Sequence, residues 1–195
     1  MKKIIIVLIV IVGISAGLFY VINSKKLIIE TGQEVQKYTN SEYSFSIEYP
    51  KNFTEFGNVT SPSNEAKKLI SLGDPDARMQ ESDKPWDGFT IFIDPNSAGL
   101  SFEEYILFQE KRLPTIRMDF DLDGPWDTTN AEKISFTADG RDGVILKEYG
   151  EPNKIYAFIP MSDRKEILVI VMLEEKKGSF EDKFMDIIKS VKFTN

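Results

Sequence analysis

The sequence predicts an α+β domain, an antiparallel β-sheet flanked by helices, carried behind one transmembrane helix. Three observations predict it. The chain opens on a long apolar run from Ile4 to Ile22. Short stretches with period-2 alternation then follow one another across turn residues, as antiparallel strands do. Two stretches with helix-start signals break that series, one after the second strand and one after the last.

The opening run lies between Lys2-Lys3 and Lys25-Lys26. At 1.5 Å rise per residue, about 19 helical residues span roughly 28 Å, close to the hydrocarbon thickness of a bilayer. Two readings compete. A cleaved signal peptide has an apolar core of roughly 7–15 residues followed by a small-x-small site. Here the run is longer, and its small cluster Ser15-Ala16-Gly17 is followed by Leu18, Phe19 and Tyr20. An uncleaved signal-anchor is favoured. The amino terminus adds a charge to Lys2 and Lys3, while Glu30 dilutes Lys25 and Lys26, which favours an inside N-terminus. The expectation is a single-pass cell-membrane protein: residues 1–26 as anchor, 27–40 as a polar tether, and 41–195 as an extracytoplasmic domain.

Charge and composition then narrow the function. The chain has 24 basic and 31 acidic residues. Without the four anchor-flanking lysines, 20 stand against 31, so the exported part carries about −11. Such a surface repels nucleic acid and favours cations or basic partners. Nucleic-acid binding is excluded as an expectation. The absence of cysteine leaves stability to packing. The absence of histidine removes the usual neutral-pH base, the usual zinc ligand and every triad built on an imidazole.

Tyr43, Phe45, Ile47 and Tyr49 alternate with polar residues, and Pro50 ends this first strand. Residues 54–84 are weakly patterned, with turns at Ser61-Pro62-Ser63-Asn64 and Asp74-Pro75-Asp76. Gly88–Asp94 reads as a strand with Phe89, Ile91 and Ile93 on one face. Ser101 and Glu104 form a capping box for a helix in which Phe102, Tyr105, Ile106, Gln109 and Leu113 share one side, up to Pro114. Further strands are expected at Lys133–Thr137, Gly143–Tyr149, Ile155–Pro160 and Glu166–Leu173, with Asp139-Gly140 and Asp142-Gly143 marking a turn between the first two. In the closing helix Ser179 with Asp182 forms the cap. Phe180, Phe184, Ile187, Ile188 and Val191 make its apolar stripe.

The opening Tyr43-x-Phe45-x-Ile47-x-Tyr49-Pro50-Lys51-Asn52-Phe53 resembles the start of PsbP-like domains, a family named for an extrinsic photosystem II subunit and widespread in non-photosynthetic bacteria. The ending Phe184-Met185-Asp186-Ile187-Ile188-Lys189-Ser190-Val191-Lys192-Phe193 is similar to the helix-then-strand close of that family, and the passage Gly88–Tyr105 also fits. The resemblance covers roughly residues 38–194. It implies an α/β/α sandwich around an antiparallel sheet and a non-enzymatic role, without implying photosynthesis.

Three features carry possible chemistry. Asp119, Asp121 and Asp123 before Gly124 give a D-x-D-x-D-G run, and Asp127 falls at loop position 9. Carboxylates at positions 1, 3 and 5 with glycine at 6 can wrap a calcium ion. Position 12 is Asn130 where a bidentate glutamate is wanted, and Glu132 comes two residues late. The alternative is an edge strand with Phe120 and Leu122 inward and the aspartates in water. Trp86 and Trp126 each sit in Pro-Trp-Asp, where an indole beside a carboxylate can stack on a glycan; the competing role is a core anchor. Paired carboxylates, Asp119 with Asp123 or Glu103 with Glu104, would serve a hydrolase only across a cleft. No nucleophile elbow or phosphate loop is present.

The sequence therefore reads as a membrane-anchored, extracytoplasmic, non-catalytic binding or scaffold module without an obligatory cofactor. Its partner would be an envelope protein or glycan. A calcium-dependent surface module and a cell-envelope hydrolase are the rivals.

Overall fold

In the computed structural model, residues 34–57, 61–77, 87–118, 132–148, 153–161, 165–174 and 180–194 are described. Strand β9 (Ile167–Glu174) shows how the fold is built. Its residues are apolar almost without a break and nearly all buried. Alternation sends Leu168, Ile170 and Met172 into one core and Ile167, Val169 and Val171 into another. A strand covered on both faces needs no polar alternate. β5 (Gly88–Asp94) is buried along its whole length in the same way, and Phe89, Ile91 and Ile93 do share one face.

These two strands sit side by side in an antiparallel sheet of order β3-β4-β5-β9-β8-β7-β6. The others are β3 (Thr54–Glu55), β4 (Lys67–Gly73), β6 (Glu132–Ala138), β7 (Arg141–Glu148) and β8 (Asn153–Pro160). The β6–β7 hairpin turns on Asp139 and Gly140, both at positive φ (50° and 77°), as an Asp-Gly two-residue turn requires. Asp142-Gly143, expected to share that turn, lies within β7.

On one face, helix α1 (Phe102–Met118) covers the sheet with Tyr105, Ile106 and Leu113. On the other face lie helix α2 (Glu181–Lys189) and a small sheet of β1 (Val35–Asn40), β2 (Phe45–Pro50) and β10 (Lys192–Phe193), in the order β1-β2-β10. Phe45 and Ile47 of β2 join Phe180, Phe184, Ile187, Ile188 and Val191 in the core beneath them. The apolar stripe expected for the closing helix is thus wholly buried. Each such large side chain removed from water contributes about 1.5–3 kcal/mol before the ordering entropy is subtracted.

Four local expectations differ from the structure. Residues 35–40, assigned to the tether, form β1 and pair with β2 from Val35↔Pro50 to Asn40↔Phe45. The compact unit accordingly begins at Val35. Its outer residues are mostly exposed, so no apolar alternation marks the strand in sequence. β4 falls in the stretch read as weakly patterned. A register shift between Lys68 and Ile70 places both Leu69 and Ile70 against the core, which erases a clean period of two. Helix α1 runs through Pro114 to Met118, so the loss of one N–H donor does not end it. The cap of α2 is also different. Phe180 is the N-cap residue and makes no side-chain cap; its N–H donates to Glu174 Oε2 at 3.1 Å, and Ser179 lies outside the described residues.

The expected anchor, residues 4–22, also lies outside the described residues. Among the described residues no helix is long and apolar enough to cross a membrane.

Candidate functional groove beside helix α1

The approach to α1 is fixed by two local networks. Asp94, at the end of β5, accepts a hydrogen bond from Asn96 N–H at 2.8 Å. Asn96 in turn donates from Nδ2 to Leu100 O at 2.8 Å and accepts from Leu100 N–H at 3.2 Å. Asn96 and Gly99 both hold positive φ, 46° and 64°, which asparagine and glycine tolerate best. Next comes the expected capping box. Ser101 N–H donates to Glu104 Oε2 at 2.9 Å, and Glu104 N–H donates back to Ser101 Oγ at 3.3 Å. The Ser101 backbone N–H, then its hydroxyl, hold the Glu104 carboxyl below its ordinary value.

Beneath the helix, Tyr105 meets Phe158 edge-on at 5.9 Å between ring centroids. Burial, then the charge of Asp94, push the Tyr105 phenol well above its ordinary value. The buried Tyr105 hydroxyl faces the side chains of Asp94 and Gln109, so polar groups meet inside an otherwise apolar contact.

Between helix α1 and the β6–β7 hairpin lies an open groove of about 520 Å³. Phe102, Glu103 and Ile106 line it from the helix; Lys133, Ser135 and Thr137 line it from β6; Asp142 and Val144 line it from β7. Alternation places Lys133, Ser135 and Thr137 on one face of β6, and Phe136 with Gly143 completes the lining. The Lys133 ammonium pairs with Glu110 Oε1 of α1 at 2.7 Å, tying helix to hairpin. Thr137 Oγ1 donates to Asp142 Oδ1 at 3.3 Å. The groove floor is therefore apolar at Ile106 and Val144 and polar along its strand side.

The sequence-expected site residues divide sharply. Asp119, Asp121, Asp123, Asp127, Trp86 and Trp126 all lie outside the described residues. Glu103 and Glu104 are described, and they separate: Glu104 is engaged in the capping box while Glu103 lines the groove. Among the described residues no three acidic, histidine or cysteine side chains gather as a metal site. The groove itself was not anticipated. Its one local signal was the polar alternate row Lys133, Ser135 and Thr137, which a lone strand shows whether or not anything docks there.

No protein-family model matches the sequence, and no curated protein matches it. Among solved structures, the cyanobacterial PsbP protein (CyanoP) of Synechocystis superposes with a TM-score of 0.57 at 12% identity, over 85% of this chain and 95% of that one. A protein from Bacteroides thetaiotaomicron aligns at a TM-score of 0.45 and 12% identity, over 82% of this chain and 48% of its own. The Saccharomyces cerevisiae Ran-binding protein Mog1p aligns at 0.46 and 9%, over 84% and 97%. The latter two are too distant to weigh on the fold. With a seven-stranded antiparallel sheet, α1 on one face and α2 with the β1-β2-β10 sheet on the other, the domain has the PsbP-like fold that its first and last motifs resemble.

Proposed function

We propose that this chain is a non-catalytic binding module, held at the cell membrane by residues 1–26 with its domain on the extracytoplasmic side, and that it engages its partner through the groove beside α1. The observation that carries the reading is the groove, whose lining joins an apolar floor to several polar side chains. The long apolar run at Ile4–Ile22 supports the anchor, and the acidic balance of the remaining chain supports an exposed, soluble face.

The test is a photo-crosslinking residue placed at Ser135, in the groove, and at Glu65, exposed and away from it, in the full chain in its own membranes. The expected result is one discrete adduct from position 135 and none from 65. The captured partner, once purified, should bind wild type and fail to bind Ser135→Arg. Absence of an adduct from 135, or binding indifferent to Ser135→Arg, removes the groove as the working surface.

A further inference from the structure

The chemistry of the groove narrows what it can hold. Its basic lining residue, Lys133, is already paired with Glu110. Its two lining carboxylates come from opposite sides, Glu103 from α1 and Asp142 from β7. Glu103 has no ion-pair or hydrogen-bond partner among the described residues, and Asp142 accepts only a long bond from a neutral hydroxyl. The groove is thus electronegative, in a chain whose full charge is −7. Leu107, one turn after Glu103 on the same flank of α1, is 46% exposed just outside the groove lining. β6 is the terminal strand of the described sheet, so the groove runs along a sheet margin where an extended chain can lie.

We propose that the groove takes a basic peptide segment of a partner protein in which lysine or arginine alternates with an apolar residue. The cationic heads face Glu103 and Asp142, and their aliphatic stems and the apolar residues lie on Ile106, Val144 and Leu107. This rests on the binding-module reading and names its partner chemistry. The acidic domain steers such a segment in from a distance, and the carboxylates set its sign.

The experiment uses the full chain in a neutral detergent and a fluorescein-labelled Gly-Lys-Val-Lys-Val-Lys-Gly peptide, with glutamate-for-lysine and serine-for-valine peptides as controls. Fluorescence anisotropy is expected to show saturable binding of the Lys-Val peptide alone. Glu103→Gln with Asp142→Asn should weaken it roughly three- to tenfold, as loss of two exposed ion pairs does. Glu65→Gln with Asp186→Asn removes the same charge from exposed positions elsewhere and should leave it unchanged. Equal weakening by both pairs would reduce the effect to non-specific attraction and overturn the proposal. So would the absence of binding, equal binding of the serine-for-valine peptide, or preference for the glutamate peptide. Concentration-dependent dimers abolished by the groove pair would assign the groove to a second copy instead. If these arms fail while the Ser135 adduct persists, the partner chemistry is wrong and the binding-module reading stands; loss of both removes both.

Discussion

Asp139 Oδ2 accepts a hydrogen bond from the backbone N–H of Phe193 at 2.8 Å, joining the β6–β7 turn to the last strand. The same carboxylate lies 3.3 Å from Lys192 Nζ, and the Arg141 guanidinium stacks 3.6 Å above the Phe193 ring. One turn residue therefore fastens β10, and through it β2, to the far margin of the large sheet.

That fastening should depend on pH. The Phe193 N–H, then Lys192, hold the Asp139 carboxyl below its ordinary value of 3.8. A depressed carboxylate contributes stability above its unfolded value and loses it as pH falls through the folded one. Asp139→Asn keeps a residue that tolerates positive φ and removes the charge. Its melting temperature is expected below wild type at neutral pH, with the gap closing below pH 3.8. A gap independent of pH would assign the effect to the turn alone.

Two glycines should respond differently to alanine. A Cβ at Gly143 would meet the Phe136 ring at 2.5 and 2.6 Å and Phe158 O at 2.9 Å, whereas at Gly88 it would meet Leu72 O at 2.7 Å and Gly73 Cα at 2.8 Å. Overpacking of this kind costs about 1–3 kcal/mol. Gly143→Ala is expected to be partly rescued by Phe136→Leu, because its nearest obstacle is a side chain at the sheet margin. Gly88→Ala is expected to cost more and to resist rescue, because its obstacle is backbone. Chemical denaturation of Gly143→Ala, Gly143→Ala with Phe136→Leu, and Gly88→Ala checks the order.

The entry to α1 offers a third test. Ser101→Ala removes an acceptor for Glu104 N–H and should cost on the order of 1 kcal/mol. Since Glu103 and Ile106 reach the groove from this first turn and a half, the same variant should also loosen the groove wall. Hydrogen exchange of the α1 N-terminal amides is expected to quicken while α2 amides keep their rates.

Beneath α2, the Lys147 ammonium is buried and pairs with Glu181, with Glu132 Oε2 at 3.4 Å. Removing a buried cation is cheaper than stranding it. Lys147→Met is expected to change stability by less than about 1.5 kcal/mol, and Glu181→Ala with Glu132→Ala to cost about 3–5 kcal/mol. Equal costs would mean the carboxylates do little for Lys147.

The acidic run Asp119, Asp121, Asp123 and Asp127 is tested by melting the full chain in EDTA and then in millimolar calcium. The binding-module reading expects no change, because Asn130 stands where a bidentate glutamate would complete the loop. A ligand at a hundred times its Kd would add about 2.7 kcal/mol. A rise of that size, lost in Asp121→Ala, would make the run a calcium site.

Elements whose signal is local were legible in the sequence. β2, β5 and the β6–β7 hairpin show period-2 faces or an Asp-Gly turn, and α1 and α2 show a capping box or an unbroken stripe. β1 was not legible, because Val35–Asn40 buries little and is a strand only by its bonds to β2. β4 was hidden by its bulge. The groove was hidden for a deeper reason. Glu103 and Asp142 are 39 positions apart and share a cavity only because β9 and β8 lie between β5 and β7 in the sheet.

The sequence by itself determined the class of the domain, the faces of its central strands and the stripe of its last helix, because each follows from residues within a few positions of one another. The tertiary structure alone decided that a carboxylate in a hairpin turn holds the final strand, and that α1 and the β6–β7 hairpin line one groove. Both depend on which strands become neighbours, and burial of two apolar cores, rather than any local preference, selects that order.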